Sequence, residues 1–317
     1  MVKEFKSTNE LIEILNSKGV SIKDENNVRY LIEKNSYYSI VNSYKRIFKI
    51  GENYKDNASF EEIFTVYKFD KNLKIIILKY ILEIEAVIKT KIANLFAEKY
   101  GLENYLDINN FDLKNDNSNL EYIEKLIEEI KKEIVKGNGK HDAITHYMNK
   151  YGFVPPWVAT KILSLGTISK FYGLMKQQDR QEISKQFHIN DKILKNILGN
   201  LTSVRNIAAH DDRLYTYRST FYIRLDKTKK CPDKPLYTNM YIIIKSLELL
   251  LENEQAIEMK KLITSLLALL CVFGSQPITM YAEENSTEDS NTNTDNKDKE
   301  TKDDSGIALY SGKKGEK

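Results

Sequence analysis

The chain has 317 residues, 41% of them hydrophobic and 29% charged, which is enough apolar material for one large domain or two. Only 13 glycines and 5 prolines punctuate it, which argues against sandwiches, barrels and Gly-rich nucleotide loops and for long helices. The formal charge is +3 but unevenly placed: residues 283–317 carry −4, from ten acids and six bases, leaving +7 for residues 1–282. A moderately basic part suits a phosphate-bearing partner, although a Lys-rich composition alone gives the same figure.

The first residues, Met-Val-Lys-Glu-Phe-Lys, hold no apolar run, so no secretory signal is expected there and a reducing cytoplasm is the expected compartment. Ser7-Thr8-Asn9 is a capping start for a short helix bearing Leu11, Ile12 and Leu15, and Val28, Leu31 and Ile32 form a second stripe. An aromatic-rich stretch runs from Asn35 to Tyr44, and Gly51 to Asn57 is turn-like. From Ser59 the apolar spacing is helical and strong: Phe60, Ile63, Phe64 and Tyr67, then, past Asp70, Leu73 through Leu95 without a glycine or proline. Gly101 stands where a helix cap belongs.

Residues 107–118 form an Asn/Asp-rich loop, followed by a charged helix near 119–137. Pro155-Pro156-Trp157 closes one segment and opens another with proline in the first turn. Further helices are predicted near 157–164, 167–176, 179–186, 190–210 and 241–251, with an exposed Lys- and Pro-containing loop over 226–235. Neither an internal repeat nor a sustained alternating pattern is present, so the fold class is all-α.

The last part reads differently. Met259-Lys260-Lys261 followed by Leu262 to Phe273 and Tyr281-Ala282 has the layout of a signal sequence placed internally. Its roughly 12 apolar residues are short against the ~20 of a membrane span. A final core helix packed on 241–251 is the plain reading; membrane association and a fusion of two reading frames are the others. Everything after Glu283 is Ser/Thr/Asn/Asp/Lys-rich, a composition unable to bury a core and expected to be disordered. The expected organisation is a helical extension over 1–58, a helical core over 59–255, an apolar helix over 256–273 and a polar tail over 274–317.

Chemistry is concentrated in one string, Leu201-Thr202-Ser203-Val204-Arg205-Asn206-Ile207-Ala208-Ala209-His210-Asp211-Asp212-Arg213-Leu214. Asn206 and His210 are one helical turn apart and share a face, whereas Arg205 lies about 140° from His210 on the wheel. Histidine can take a proton from a ribose 2′-hydroxyl or give one to a leaving 5′-oxygen, and arginine offers a fixed cationic fork to a phosphorane-like transition state. Asparagine can orient the imidazole or bind a phosphate oxygen. Two cysteines and four histidines (His141, His146, His188, His210) exclude a disulfide framework and argue against a zinc centre. Without an acidic ligand cluster beside the box, a metal-free scheme without cofactor is favoured. By spacing alone, such a string more often caps carbonyls or satisfies buried groups than catalyses.

Four strings together resemble the Abi-like family of bacterial abortive-infection proteins, of AbiD/AbiF type. They are Tyr37 to Tyr44; Tyr67-Lys68-Phe69-Asp70-Lys71-Asn72-Leu73-Lys74 with Ile84-Glu85 and Lys89; Pro156-Trp157 with Leu165-Gly166-Thr167-Ile168-Ser169; and Val204 to Leu214. Their order fits over about residues 5–255. Ser39-Ile40 stands where Arg-Leu is usual, Ser43 where a glycine precedes the closing tyrosine, and Asp211 where a second histidine is common. The resemblance implies a HEPN ribonuclease core with Arg205, Asn206 and His210 as catalytic residues, antiviral defence as the role, and RNA as the partner. It also implies a homodimer, since such sites are commonly completed by pairing two domains. A non-catalytic protein that binds and protects a structured, cognate non-coding RNA is the alternative.

Supporting roles are expected for nine further residues. Tyr37, Tyr38 and Tyr44 either stack on bases or fill the core. Glu85 either pairs with Arg205 or forms an ordinary intrahelical pair with Lys89. Lys74, Lys79, Lys89 and Lys91 form an RNA track or are simply solvated, and Arg213 follows the box as a further RNA contact.

Overall fold

The computed structural model describes residues 4–219 and 239–273, the last three of these by backbone alone. The expected loop over 226–235, the polar tail over 274–317 and the end of the 259–282 apolar segment lie outside the described residues. Eleven α-helices follow in chain order: α1 Thr8–Ser17, α2 Glu25–Asn35, α3 Phe60–Tyr100, α4 Leu120–Gly137, α5 Asp142–Tyr151, α6 Pro156–Ile162, α7 Leu165–Leu174, α8 Gln177–Lys185, α9 Asp191–Ala209, α10 Met240–Leu250 and α11 Asn253–Phe273. The all-α expectation holds. Extended structure among the described residues amounts to a two-residue hairpin pair in the turn-like stretch, β1 Lys49–Ile50 and β2 Asn53–Tyr54, and two isolated bridges, Ser21 with Ser59 and Phe111 with Met175.

Helix α3 is the spine, 41 residues and therefore about 60 Å long. Ser59 and Glu62 form a reciprocal capping box at its start, and Gly101, at φ +84°, ends it. The apolar pattern along α3 breaks at Asp70, and that break separates two cores. Before it, Phe60, Ile63, Val66 and Tyr67 pack with Ile12, Leu15, Val28, Ile32, Ile40, Val41 and Tyr44 of the N-terminal segment. After it, the buried face from Leu73 to Phe96 packs into the main core with α4, α6, α7, α9, α10 and α11. Residues 4–58 thus share a core with the first two turns of α3.

Local signals explain the short helices. Ser7 and Glu10 close a capping box on α1, Asp24 caps α2, and Pro156 opens α6 in its first turn. Gly152 takes the left-handed conformation after α5. Phe96, Phe111 and Phe171 meet edge-on or tilted, with centroids 4.8–5.7 Å apart, where the loop after α3 crosses α7. The apolar C-terminal helix α11 is a core helix, with Met259, Ile263 and Leu266 buried. Its main seat is α3 rather than 241–251 alone: Lys79 reaches Glu258 at 3.0 Å, and Lys260 reaches Glu248 of α10 at 2.9 Å. No helix among the described residues is long and apolar enough to cross a membrane.

Candidate active site at the end of the ninth helix

The box occupies the last turns of α9, and its local geometry follows from how that helix stops. His210 is the capping residue, with its N–H on the Asn206 carbonyl at 3.0 Å. Asp211 turns left-handed at φ +59°, and the Asp212 N–H reaches back to the Ile207 carbonyl at 3.1 Å. This is a Schellman ending with aspartate in the position that usually takes glycine. A side chain in that conformation costs roughly 1 kcal/mol, which Asp and Asn tolerate best. Here the aspartate carries an ion pair that glycine cannot make: its carboxylate bonds the ammonium of Lys74.

Lys74 is only 3% exposed, on the face of α3 that meets the end of α9. One turn earlier, Asp70 is wholly buried and accepts three hydrogen bonds, from the Leu214 N–H (3.0 Å), the Tyr215 N–H (2.6 Å) and the Tyr44 hydroxyl (2.7 Å). Burial pushes the Asp70 carboxyl above its ordinary value, opposed by the three donors and the Lys74 charge. Tyr44 stacks on Tyr215 (5.7 Å between centroids) and meets Tyr67 edge-on at 5.9 Å. Arg213 donates to the Ser43 carbonyl at 2.8 Å. Three of the four sequence strings therefore meet at one place, and what they hold is the segment Asp211–Tyr215.

The third string acts on the other side of α9. Gly166, in the first turn of α7, lies where a Cβ would stand 3.4 Å from the Thr202 methyl, one turn before Arg205. Ser164 caps α7 by accepting from the Thr167 N–H at 3.1 Å. The four strings are mostly scaffold, and the box is what they position.

Against these satisfied groups, the box itself is unspent. Arg205 is partly buried and its Nε has no hydrogen-bond partner among the described residues. Asn206 and His210 are exposed, and neither side chain has a bond or ion pair among the described residues. Together the three groups offer a cationic fork, an amide and an imidazole. Among the described residues, no three His, Cys, Asp or Glu side chains are grouped to hold a metal ion.

The supporting residues divide. Glu85 pairs with Lys89 at 2.7 Å, and no ion pair joins it to Arg205; its other oxygen is buried without a partner. The four lysines expected as a track do not form one. Lys74 is buried on Asp211, Lys79 reaches Glu258, Lys89 holds Glu85 and Lys91 bonds Gln186. On the helical wheel they also point to different sides of α3. Tyr44 is core; Tyr37 is partly buried, its hydroxyl pushed up to about 12 by burial; Tyr38 is 71% exposed in a short π-helical turn, Tyr38–Asn42. The anchoring role of Lys74 was readable in one signal, its i, i+4 spacing from Asp70 within an otherwise apolar face.

The family model for Abi-like proteins matches residues 30–216, from within α2 through the box. The match is shorter than the 5–255 expected from the strings and leaves out α10 and α11. No curated protein and no solved structure matches the chain.

Proposed function

The chain belongs to the Abi-like family, and on that premise we propose that it is an abortive-infection defence protein that cuts RNA at the end of α9 within a HEPN-type core. The observation that carries this reading is the contrast at that helix end: Arg205, Asn206 and His210 are unspent, while buried bonds from Asp70 and Lys74 fix the segment beside them. A ribose 2′-oxygen attacks the adjacent phosphorus as an imidazole takes its proton. The bond from phosphorus to the 5′-oxygen breaks, and a second imidazole protonates the leaving oxygen. The products are a 2′,3′-cyclic phosphate and a 5′-hydroxyl. Arg205 places its fork on the non-bridging oxygens, where negative charge grows.

One box per chain brings one imidazole, so both proton transfers call for two copies of the box about a twofold axis. A homodimer with the site across its interface meets that need and lets Arg205 serve a phosphate held by the other copy. The alternative, an RNA-binding protein without catalysis, is favoured by the same single imidazole if the chain stays monomeric. Purified protein incubated with end-labelled RNA in EDTA decides. Cyclic-phosphate products support cleavage, and a shifted but intact RNA supports binding alone. A monomer by light scattering that still cuts RNA at full rate overturns the composite site.

A further inference from the structure

Between α3 and α6 lies a cleft of about 500 Å³ that the box does not use. Leu82 and Ala86 of α3 and the ring of Trp157 give it apolar walls, and Leu82 and Trp157 remain 48% and 38% exposed. Part of its polar lining is unspent: Glu85 pairs with Lys89 and the Thr90 hydroxyl donates to the Ala86 carbonyl, but three other groups have no such bond. The Thr160 hydroxyl, on a residue only 6% exposed, has no hydrogen-bond partner among the described residues, and neither the Asn94 amide nor the Lys161 ammonium has a partner there. Glu85 and Lys89 neutralise each other at one edge, so Lys161 leaves the cleft with a net positive charge. A flat aromatic face, a cation and free amide and hydroxyl groups in one recess match the parts of a nucleotide: a base to stack, a phosphate to pair, and a base edge to bond.

The cleft also lies in line with the box. Glu85 follows Lys74 by eleven residues on one unbroken helix, which puts them within about 20° on the wheel and about 16 Å apart along the axis. Lys74 holds Asp211, the neighbour of His210. A strand leaving the box along α3 reaches the cleft after about five nucleotides if stacked at ~3.4 Å each, fewer if extended. We infer that the Trp157 cleft is a base-binding subsite for single-stranded RNA, which stacks one base on Trp157 and pairs its phosphate with Lys161. The identity of the strand rests on the ribonucleolytic reading above; the recess and its chemistry do not.

Trp157 is the only tryptophan in the chain, so its fluorescence reports this site alone. The experiment titrates full-length His210→Ala protein, which should bind without cutting, with a ten-nucleotide single-stranded RNA of mixed sequence. Saturable quenching of Trp157 that weakens as salt rises is expected. By anisotropy of the labelled RNA, Trp157→Ala and Lys161→Glu should each bind roughly tenfold more weakly, with Trp157→Phe close to wild type. Lys161 is exposed, so its variant tests the site without threatening the fold. RNA binding seen by anisotropy with Trp157 emission unchanged overturns the subsite, as does emission that follows protein concentration rather than RNA, which marks the face as a contact between copies. Wild-type protein that quenches but never cuts removes the cleavage reading and leaves the subsite standing; cutting without quenching does the reverse.

Discussion

Two groups of polar side chains flank the end of α9, and they have opposite bonding. Asp70 and Lys74 on the α3 side are buried, and their bonds run to Leu214, Tyr215, Tyr44 and Asp211. Arg205, Asn206 and His210 on the α9 side stand at or near the surface with hydrogen-bonding groups that have no partner among the described residues. Buried polar groups persist because leaving them unpaired costs 1–3 kcal/mol each, so complete pairing marks a structural role. Surface groups without a protein partner, held beside a fully bonded segment, stay available to a ligand. Motif residues of both kinds sit side by side in the sequence, and bonding separates them.

The largest expected effect breaks the α9 side. Arg205→Ala and His210→Ala should each lower RNA cleavage by at least about 10³-fold, since each removes a group needed in the transition state. Melting temperature should stay within about 2 °C of wild type, because neither side chain makes a bond within the described structure. Initial cleavage rates on a labelled RNA, with thermal melts of the same preparations, test both halves. Full activity in either variant removes the box as the site.

Breaking the α3 side should do the reverse. In Asp70→Asn the amide nitrogen replaces one of the two accepting oxygens, so it faces the N–H of either Tyr215 or Leu214 and at least one of the three hydrogen bonds is lost. A loss of about 3 kcal/mol follows, or roughly 6–12 °C in melting temperature. Cleavage below the new melting point should fall much less than in His210→Ala. A variant as stable as wild type shows that the bonds to Asp70 contribute little.

The sequence made the fold legible wherever one periodicity ran without competition. The run from Leu73 to Leu95 predicted α3, and Ser7, Ser59, Gly101 and Pro156 marked helix ends through caps that act locally. Less legible was anything decided by which helix faces which. Asp70 read as a gap between two apolar patches, although the gap is filled by a chain segment from 144 residues away. Lys74 read as one of several lysines on α3, because its i, i+4 spacing from Asp70 on an apolar face hints at burial but does not show that Asp211 comes to meet it. The box was legible as residue types, while its unspent state depends on tertiary neighbours. The seat of α11 on α3 was hidden likewise, since an apolar stripe shows that a helix is buried but not against what.

The Lys74–Asp211 pair allows a finer cut. Asp211→Asn keeps a residue that tolerates φ +59° and removes only the charge, which leaves a buried ammonium unpaired. A cost of about 1–2 kcal/mol is expected, limited because Asp211 is half exposed. Adding Lys74→Met should recover most of that loss, since removing both charges leaves neither unpaired. Denaturation curves for the two single variants and the double one give the coupling directly. Additive losses mean that the pair makes no net contribution and that backbone bonds alone fix the turn.

Gly166 carries the smallest effect and separates spacing from bonding as the source of the box's position. An alanine Cβ there would stand 3.4 Å from the Thr202 methyl and 3.5 Å from the Ser164 hydroxyl, both ordinary contact distances. Thr202 is held by its own bond to the Leu198 carbonyl at 2.8 Å and cannot easily turn away, so the new methyl adds contact without room to spare. Alanine also gains up to about 1 kcal/mol of helix propensity over glycine, less in the first turn of α7. The two effects nearly cancel, and Gly166→Ala should melt within about 2 °C of wild type and cut RNA at an unchanged rate. Gly166→Val, larger by two methyl groups, should force α7 and α9 apart at a cost of about 1–3 kcal/mol and slow cleavage as Arg205 shifts. If alanine alone already slows cleavage at unchanged stability, the α7–α9 spacing sets the reach of Arg205, and the bonds on the α3 side serve only to hold the chain that follows.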